Sequence, residues 1–365
     1  MKTMKIFFGI VATTLLMASC LTNDDSYRAG FQVVKPSSAY YYANNTSDSL
    51  VFWSYGSWTL DDCQGYDNSW ITIPTRKGNG YTDYSQLMRF TQNTTGEGRL
   101  ALFQLSDTNH PGDAHASLAF WQYATRGDGT LGNAADVKSI TGTDGSKINL
   151  TYDEKHRPLT VVMTKDGNTL QNLSFEYDDN GQQMTVNSRG IVQTSSYGNS
   201  YQPKSLIGPG DSLFLTEQFY VSSVNSPYAF NFVERFSTGD YEAYGILQMK
   251  PCSNPDSVYV ADSIRYQCKR SGVIEQEFMA LNYGQDDNRY QTVDVNQLIL
   301  GVEHCNPYLL VSLYRLARSS RIVTSATFEQ TDKNITVAAR LNANKSVQQL
   351  SVTRCGTTIS YDFEY

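Results

Sequence analysis

Apolar and polar residues alternate with a period of two along most of the chain. In "SDSLVFWSYGSWTLDD", Leu50, Phe52, Trp58 and Leu60 share one strand face if no bulge intervenes, and Val51, Trp53 and Tyr55 point the other way. In "SLAFWQY", Leu118 and Phe120 take one parity and Trp121 and Tyr123 the other. Short runs of this kind, separated by turn residues, extend from Phe31 to about Thr125. Further on, Tyr152-Asp153 and Tyr177-Asp178 each close an alternating run, 25 residues apart, and a related phrase, "ISYDFEY", carries Tyr361-Asp362 near the C-terminus. Such spacing predicts a meander, with an aromatic at the strand end and Asp or Asn-Gly in the turn. One helical pattern interrupts it. Asn306 is placed to cap, Pro307 to open the first turn, and Leu309, Leu310, Leu313, Leu316 and Ala317 to form one face, with Arg315 and Arg318 suited to the C-terminal dipole. A stretch from Val295 to Val302 is expected to form a second helical arm.

The N-terminus follows a different rule. Lys2 and Lys5 precede a mostly apolar stretch of twelve residues, Ile6 to Met17, too short to span a bilayer as a stable helix. Ala18 and Ser19 before Cys20 resemble the bacterial lipobox, with Met17 where Leu is preferred. That resemblance implies removal of residues 1–19 and acylation of Cys20, which anchors the protein to outer-membrane lipid. Asn23-Asp24-Asp25 is similar to the acidic signal that sends lipoproteins of Bacteroidota to the cell exterior, so residues 20–28 are expected to be a tether at the outer face of the outer membrane.

With Lys2 and Lys5 gone, the 29 basic residues fall to 27 against 36 acidic ones, a formal charge of −9. A chain so poor in clustered cations does not suit nucleic acid, whose phosphates set affinity. The 25 tyrosines favour strands over helices. Five cysteines remain after Cys20, so at least one stays a thiol; Cys252 and Cys268 flank a hairpin-like segment and are the preferred bridge, the alternative being that all five are buried thiols.

Within the first hundred residues a family resemblance emerges. Trp58-Thr59-Leu60, then Ser69-Trp70-Ile71-Thr72-Ile73-Pro74, then Gly78-Asn79-Gly80, then Asn93-Thr94-Thr95-Gly96-Glu97-Gly98-Arg99, in that order, resemble a BACON-type domain. The resemblance implies an immunoglobulin-like β-sandwich over residues 29–125 and a setting in polysaccharide utilisation. Residues 126–135 read as a Gly-rich linker and 136–365 as a larger antiparallel β domain with a short helical insert, similar to YD-type hairpin domains. The predicted fold class is therefore all-β.

Catalytic motifs do not assemble. Gly127, Gly129 and Gly132 spell G-x-G-x-x-G, with Asp153 twenty-one residues on, but the segment after them is too short and polar for the crossover helix that dinucleotide binding requires. Gly210-Asp211-Ser212-Leu213 spells a serine-esterase motif, yet the one D-x-x-H, Asp107 to His110, lies upstream in the other domain. Ser212 is expected to open a strand. No cofactor or metal motif is present in the sequence. Aromatics are the better lead, because a sugar's C–H face can lie on a Trp or Tyr ring. Trp58 and Trp70 are expected in the core; Trp53, Tyr55, Trp121 and Tyr123 are expected to form an exposed platform. The expected function is non-catalytic glycan binding or presentation at the cell surface, with an outer-membrane protein as a further partner. A structural spacer is the rival, and a hydrolase in the larger domain comes third.

Overall fold

The computed structural model describes residues 30–109, 115–177, 273–305, 307–311 and 318–365, together with seven strands between 183 and 270. The fold is nearly all β, as the alternation predicts. The N-terminal part contains β1 (Phe31–Lys35), β2 (Ser38–Tyr41), β3 (Ser47–Ser54), β4 (Trp58–Asp62), β5 (Ile71–Thr72), β6 (Lys77–Gly78), β7 (Thr82–Phe90), β8 (Arg99–Asp107) and β9 (His115–Gln122). One sheet has the order β1-β3-β7-β5 and the other β2-β9-β8-β4-β6. Their inner faces meet as a sandwich. Leu50, Phe52, Met88 and Phe90 from the first sheet pack with Trp58, Phe103, Leu105, Leu118 and Phe120 from the second, and the Phe52 ring stands edge-on to Trp58 at 4.9 Å. Trp58 and Trp70 are both core residues.

The residues that carry the BACON-type resemblance are structural. Asn93 is fully buried; its Oδ1 accepts from the Thr95 amide and hydroxyl at 3.1 and 2.7 Å, and its Nδ2 donates to the Glu97 and Tyr123 carbonyls at 2.8 and 3.0 Å. Arg99 donates to Gln122 Oε1 at 2.9 and 2.7 Å and lies over the Trp70 ring at 4.8 Å. The motif thus pins the turn before β8 and closes one end of the sandwich.

The remaining strands are β10 (Ser139–Gly142), β11 (Ser146–Tyr152), β12 (Pro158–Lys165), β13 (Asn168–Tyr177), β14 (Gln183–Ser188), β15 (Ile191–Ser196), β16 (Leu206–Ile207), β17 (Ser212–Phe219), β18 (Tyr228–Arg235), β19 (Tyr241–Pro251), β20 (Tyr259–Arg270), β21 (Val273–Asp287), β22 (Arg321–Phe328), β23 (Ile335–Leu341), β24 (Val347–Arg354) and β25 (Thr357–Glu364). They form one sheet of 16 strands in which each pairs antiparallel with its sequence neighbour, while β10 pairs with β25 and β15 and β16 occupy the ends. Ser196 and Leu206 are separated by nine residues, ten Cα–Cα steps and about 35 Å of extended chain at most. A flat sheet of this width would separate them by roughly 70 Å. The sheet must therefore curve round, and Cα atoms of β15 and β16 do approach within 8 Å.

Strands β10–β13 and β22–β25 turn apolar side chains to one face. Ile148, Leu150, Val161, Met163, Phe175, Leu350 and Phe363 pack there against Val293, Val295, Leu298, Ile299 and Leu310 of the segment between β21 and β22. Among its described residues that segment holds two 3-10 turns, Val295–Leu298 and Val302–His304, and one short helix, α1 (Pro307–Leu310). The predicted arm at 295–302 is thus shorter and tighter than an α-helix. Asn296 explains part of this: its Oδ1 accepts from the Val323 amide at 2.9 Å and its Nδ2 donates to the Arg321 carbonyl at 2.8 Å, tying the turn to β22. Gly301 at φ 90° then ends it. Leu309 and Leu310 are buried as expected. Asn306, Leu313, Arg315, Leu316 and Ala317 lie outside the described residues.

Arg318 departs from its expected place at a helix end. It is buried and donates to the carbonyls of Asn288, Gln291 and Val293, while burial pushes its pKa down and that of nearby Asp294 up. Asp294 Oδ1 accepts from Asn288 Nδ2 at 2.5 Å and from the Asn296 amide at 3.1 Å. These bonds satisfy polar groups that would otherwise cost heavily inside the core.

Two of the YD phrases sit where the meander predicts. Tyr152 ends β11, and Asp153 accepts from the Lys155 and Arg157 amides at 2.8 and 2.9 Å, building the turn. Tyr177 ends β13; Asp178 lies outside the described residues. The 25-residue repeat has a physical sense: Arg157, held by Asp153 at 2.6 Å, lies 4.1 Å over the ring of Tyr177 in the next unit. Tyr361 differs. It lies inside β25, opposite Gly142 and Leu350, because β25 pairs with β10 as far as Glu364.

Candidate functional site

The outer faces of the sandwich carry the aromatics singled out by strand parity. Leu50, Phe52 and Ser54 are buried, so Trp53 and Tyr55 stand on the outer face of the first sheet, where their rings meet edge-on at 6.5 Å and Gln32 Nε2 donates to the Tyr55 hydroxyl. Leu118, Phe120 and Gln122 are buried, so Trp121 and Tyr123 stand on the outer face of the second sheet. The two pairs therefore lie on opposite sides of the sandwich and do not form one platform. Parity along a single strand gives the face of its own sheet and says nothing of which side of the sandwich that sheet occupies.

What the structure adds to Trp121 is a pair of tyrosines from the strand beside it. β2 runs parallel to β9 with Tyr40 opposite Trp121. The Tyr40 ring stacks on Trp121 at 4.9 Å with 16° between planes and on Tyr123 at 6.0 Å with 21°. Tyr42 follows at 5.8 Å from Tyr123. Tyr40 is 63% exposed, whereas the other three are half-buried. Parallel rings, one of them open to solvent, offer a π face to an apolar sugar surface. Tyr40 and Tyr42 were legible as strand residues in "SSAYYYA", but the β2–β9 pairing that stacks them spans some eighty residues of sequence.

The connection after the sandwich is also more than a linker. Arg126, Gly127, Gly129, Thr130, Leu131 and Gly132 are all buried. Arg126 donates to the carbonyls of Gly132 and Ala134 at 2.8 and 3.1 Å. The Leu131 and Ala135 amides donate to the Arg289 and Tyr290 carbonyls at 2.9 and 3.0 Å, and the Gly132 amide to the Ala124 carbonyl at 2.9 Å. A Cβ at Gly132 would fall 1.7 Å from the Asn93 carbonyl oxygen, so the glycines here serve close packing, not phosphate binding.

The other singled-out positions are soon placed. Ser212 is the first residue of β17, as a strand entry should be; Gly210, Asp211 and His110 lie outside the described residues. Cys20 and the tether do too. Cys252 is likewise outside them, while Cys268 pairs in register with Ala243, and Pro251 pairs with Tyr259 nine positions away. Cys63 and Cys355 are thiols outside the core, and Cys305 is buried. Among the described residues no group of three or more His, Cys, Asp or Glu side chains is arranged to hold a metal. No described helix is long and apolar enough to cross a membrane.

Comparison with known proteins returns no matching family model and no similar curated protein. The likeness to BACON-type and YD-hairpin domains is one of motif alone. Among solved structures, a porin-like protein from Bacteroides uniformis aligns at 13% identity over 62% of this chain and 97% of its own, with a TM-score of 0.40. A GH5 xyloglucanase from Bacteroides ovatus, in complex with a XXXG heptasaccharide, aligns at 12% identity over 30% of this chain and 22% of its own, with a TM-score of 0.23.

Proposed function

We propose that this is a lipid-anchored protein of the cell surface that binds glycans without cleaving them, through the outer face of the second sandwich sheet. The observation that carries this reading is the stack of Tyr40 on Trp121 and Tyr123, with Tyr40 exposed on a rigid sheet. Large aromatics left open to solvent gain little for folding and are suited to recognition. The tether and its acyl chains at Cys20 hold that face away from the membrane. A glycan array of host mucin and plant polysaccharides tests the reading: the mature protein binds at least one glycan class, and Tyr40→Ala and Trp121→Ala weaken it. An array on which it binds nothing removes the reading.

The buried connection at 126–135 favours a second reading, a spacer that holds a partner protein off the membrane. A spacer needs a stiff joint, and this one is hydrogen-bonded on both sides. In that case sugar binding is absent and removal of the larger domain abolishes partner capture on whole cells. The anchor is common to both readings. Cys20→Ala moves the protein from the detergent phase to the soluble fraction; continued membrane partition of that variant contradicts the lipoprotein assignment.

A further inference from the structure

We propose that the aromatic corner is one end of a longer site, and that the outer face of the second sheet takes an uncharged oligosaccharide of several rings. The inference rests on the glycan-binding reading and adds the class of glycan and the residues of its far end.

The far end is a groove of about 590 Å³ toward the opposite edge of the same sheet, lined by Thr59, Asp61, Asp62, Arg76 and Lys77 among others. Register places its Thr59 and Asp61 on the same face as Trp121, while Asp62, opposite Phe103, belongs to the other parity. Trp121 pairs with Leu100 on β8, Gln104 of β8 pairs with Asp61 on β4, and Ser106 pairs with Thr59. Paired residues share a sheet face, and residues two apart on one strand do as well. Leu100, Leu102, Gln104 and Ser106 are half-buried, while Ala101, Phe103 and Leu105 point into the core. A continuous surface therefore runs from Tyr40 through Trp121 and the two leucines to Gln104 and Asp61. Three strand spacings and four residues of rise make its diagonal roughly 20 Å, too long for one sugar ring.

The chemistry changes along that line. Ring faces and leucine side chains at one end suit the C–H surface of a sugar, and carboxylate, hydroxyl and amide groups at the other suit its hydroxyls. Thr59 Oγ1 donates to Asp61 Oδ2 at 3.0 Å and so holds an exposed carboxylate in place. Charge selects the ligand further. The groove has two carboxylates and two cations; Asp62 and Arg76 are paired at 2.8 Å, leaving Asp61 and Lys77 in balance. A surface without net charge complements a neutral chain better than one of uronic acids or amino sugars.

Titration calorimetry on the mature protein tests this with neutral series of glucose, mannose, galactose and xylose, each from one to six rings, and with hexagalacturonate as the acidic chain. At least one neutral series is expected to bind about tenfold more tightly at six rings than at one, since each added hydrogen bond to a charged group is worth on the order of tenfold. Asp61→Ala should remove that gain and leave single-ring binding unchanged, whereas Trp121→Ala weakens both. Melting temperatures of both variants, unchanged, show that the fold is kept. Equal affinity at all lengths, an Asp61→Ala variant that binds the long chain as the wild type does, or a preference for hexagalacturonate overturns the extended neutral site and leaves glycan binding standing. No binding by any member overturns both.

Discussion

Two tryptophans of similar hydrophobic weight have opposite roles because their strand parities differ. Trp58 is fully buried between Phe52 and Tyr84, whose rings meet it edge-on at 4.9 and 4.8 Å. Trp58→Ala is predicted to cost about 3–5 kcal/mol, read as a lowered denaturation midpoint. Trp121→Ala should leave that midpoint nearly unchanged. Asp62 supplies a pH-dependent contribution. Burial alone would raise its pKa, but hydrogen bonds from Arg76 and Asn68 and the Arg76 charge outweigh it and hold the carboxyl below its ordinary value. A depressed folded pKa stabilises above the unfolded value and is lost as pH falls through the folded one. Acid titration of stability should thus show a component below the usual carboxylate range that Asp62→Asn removes; being largely exposed, it is small. Burial of Leu118 and Phe120 was readable from alternation, and that of Trp58 and Trp70 from the motif resemblance that carries both tryptophans. The partner of Trp121 was not, since nothing local marks Tyr40 as its neighbour.

Among the elements, sequence reading succeeded where the period was long and regular and failed where backbone met backbone. The meander from β10 to β13 follows from alternation and turn residues, and the Asp153 turn follows from its side chain. The segment at 126–135 read as a linker because three of its ten residues are glycine. It is instead largely buried, and at Gly132 it is packed so tightly that a side chain is excluded, so the glycine there records close approach. Gly132→Ala should destabilise by about 1–3 kcal/mol or more, as overpacking does, through the clash with the Asn93 carbonyl. A variant as stable as the wild type in chemical denaturation contradicts that account. The helical insert was half legible. Its apolar residues marked a core segment, but Asn296, which draws the 3-10 turn onto β22, resembles any polar helix residue until its partners are known.

At the scale of the whole molecule, the part of the large sheet whose side chains are described, β10–β13 with β22–β25, is built inside out relative to a membrane barrel. Lys147, Asn149 and Thr151 on β11, Thr336 and Arg340 on β23, and Asp362 and Glu364 on β25 are exposed on its outer face, while the opposite face is apolar and covered by the insert. Outer-membrane barrels show the reverse. The soluble Cys20→Ala variant is accordingly predicted not to insert into or permeabilise lipid vesicles, and dye release from them contradicts this. The all-β class was visible from the sequence; the curvature that brings β10 to β25 was not, because it depends on pairing the first and last strands of one sheet. The central claim, that the exposed face of the second sandwich sheet binds sugar, is tested most directly by comparing the wild type, a Tyr40→Ala/Trp121→Ala double variant and Trp53→Ala on one glycan array. Binding by the wild type and by Trp53→Ala, with loss of about tenfold or more in the double variant at an unchanged melting temperature, is the predicted result. A wild type that binds nothing, or a double variant that binds as well as the wild type, contradicts it.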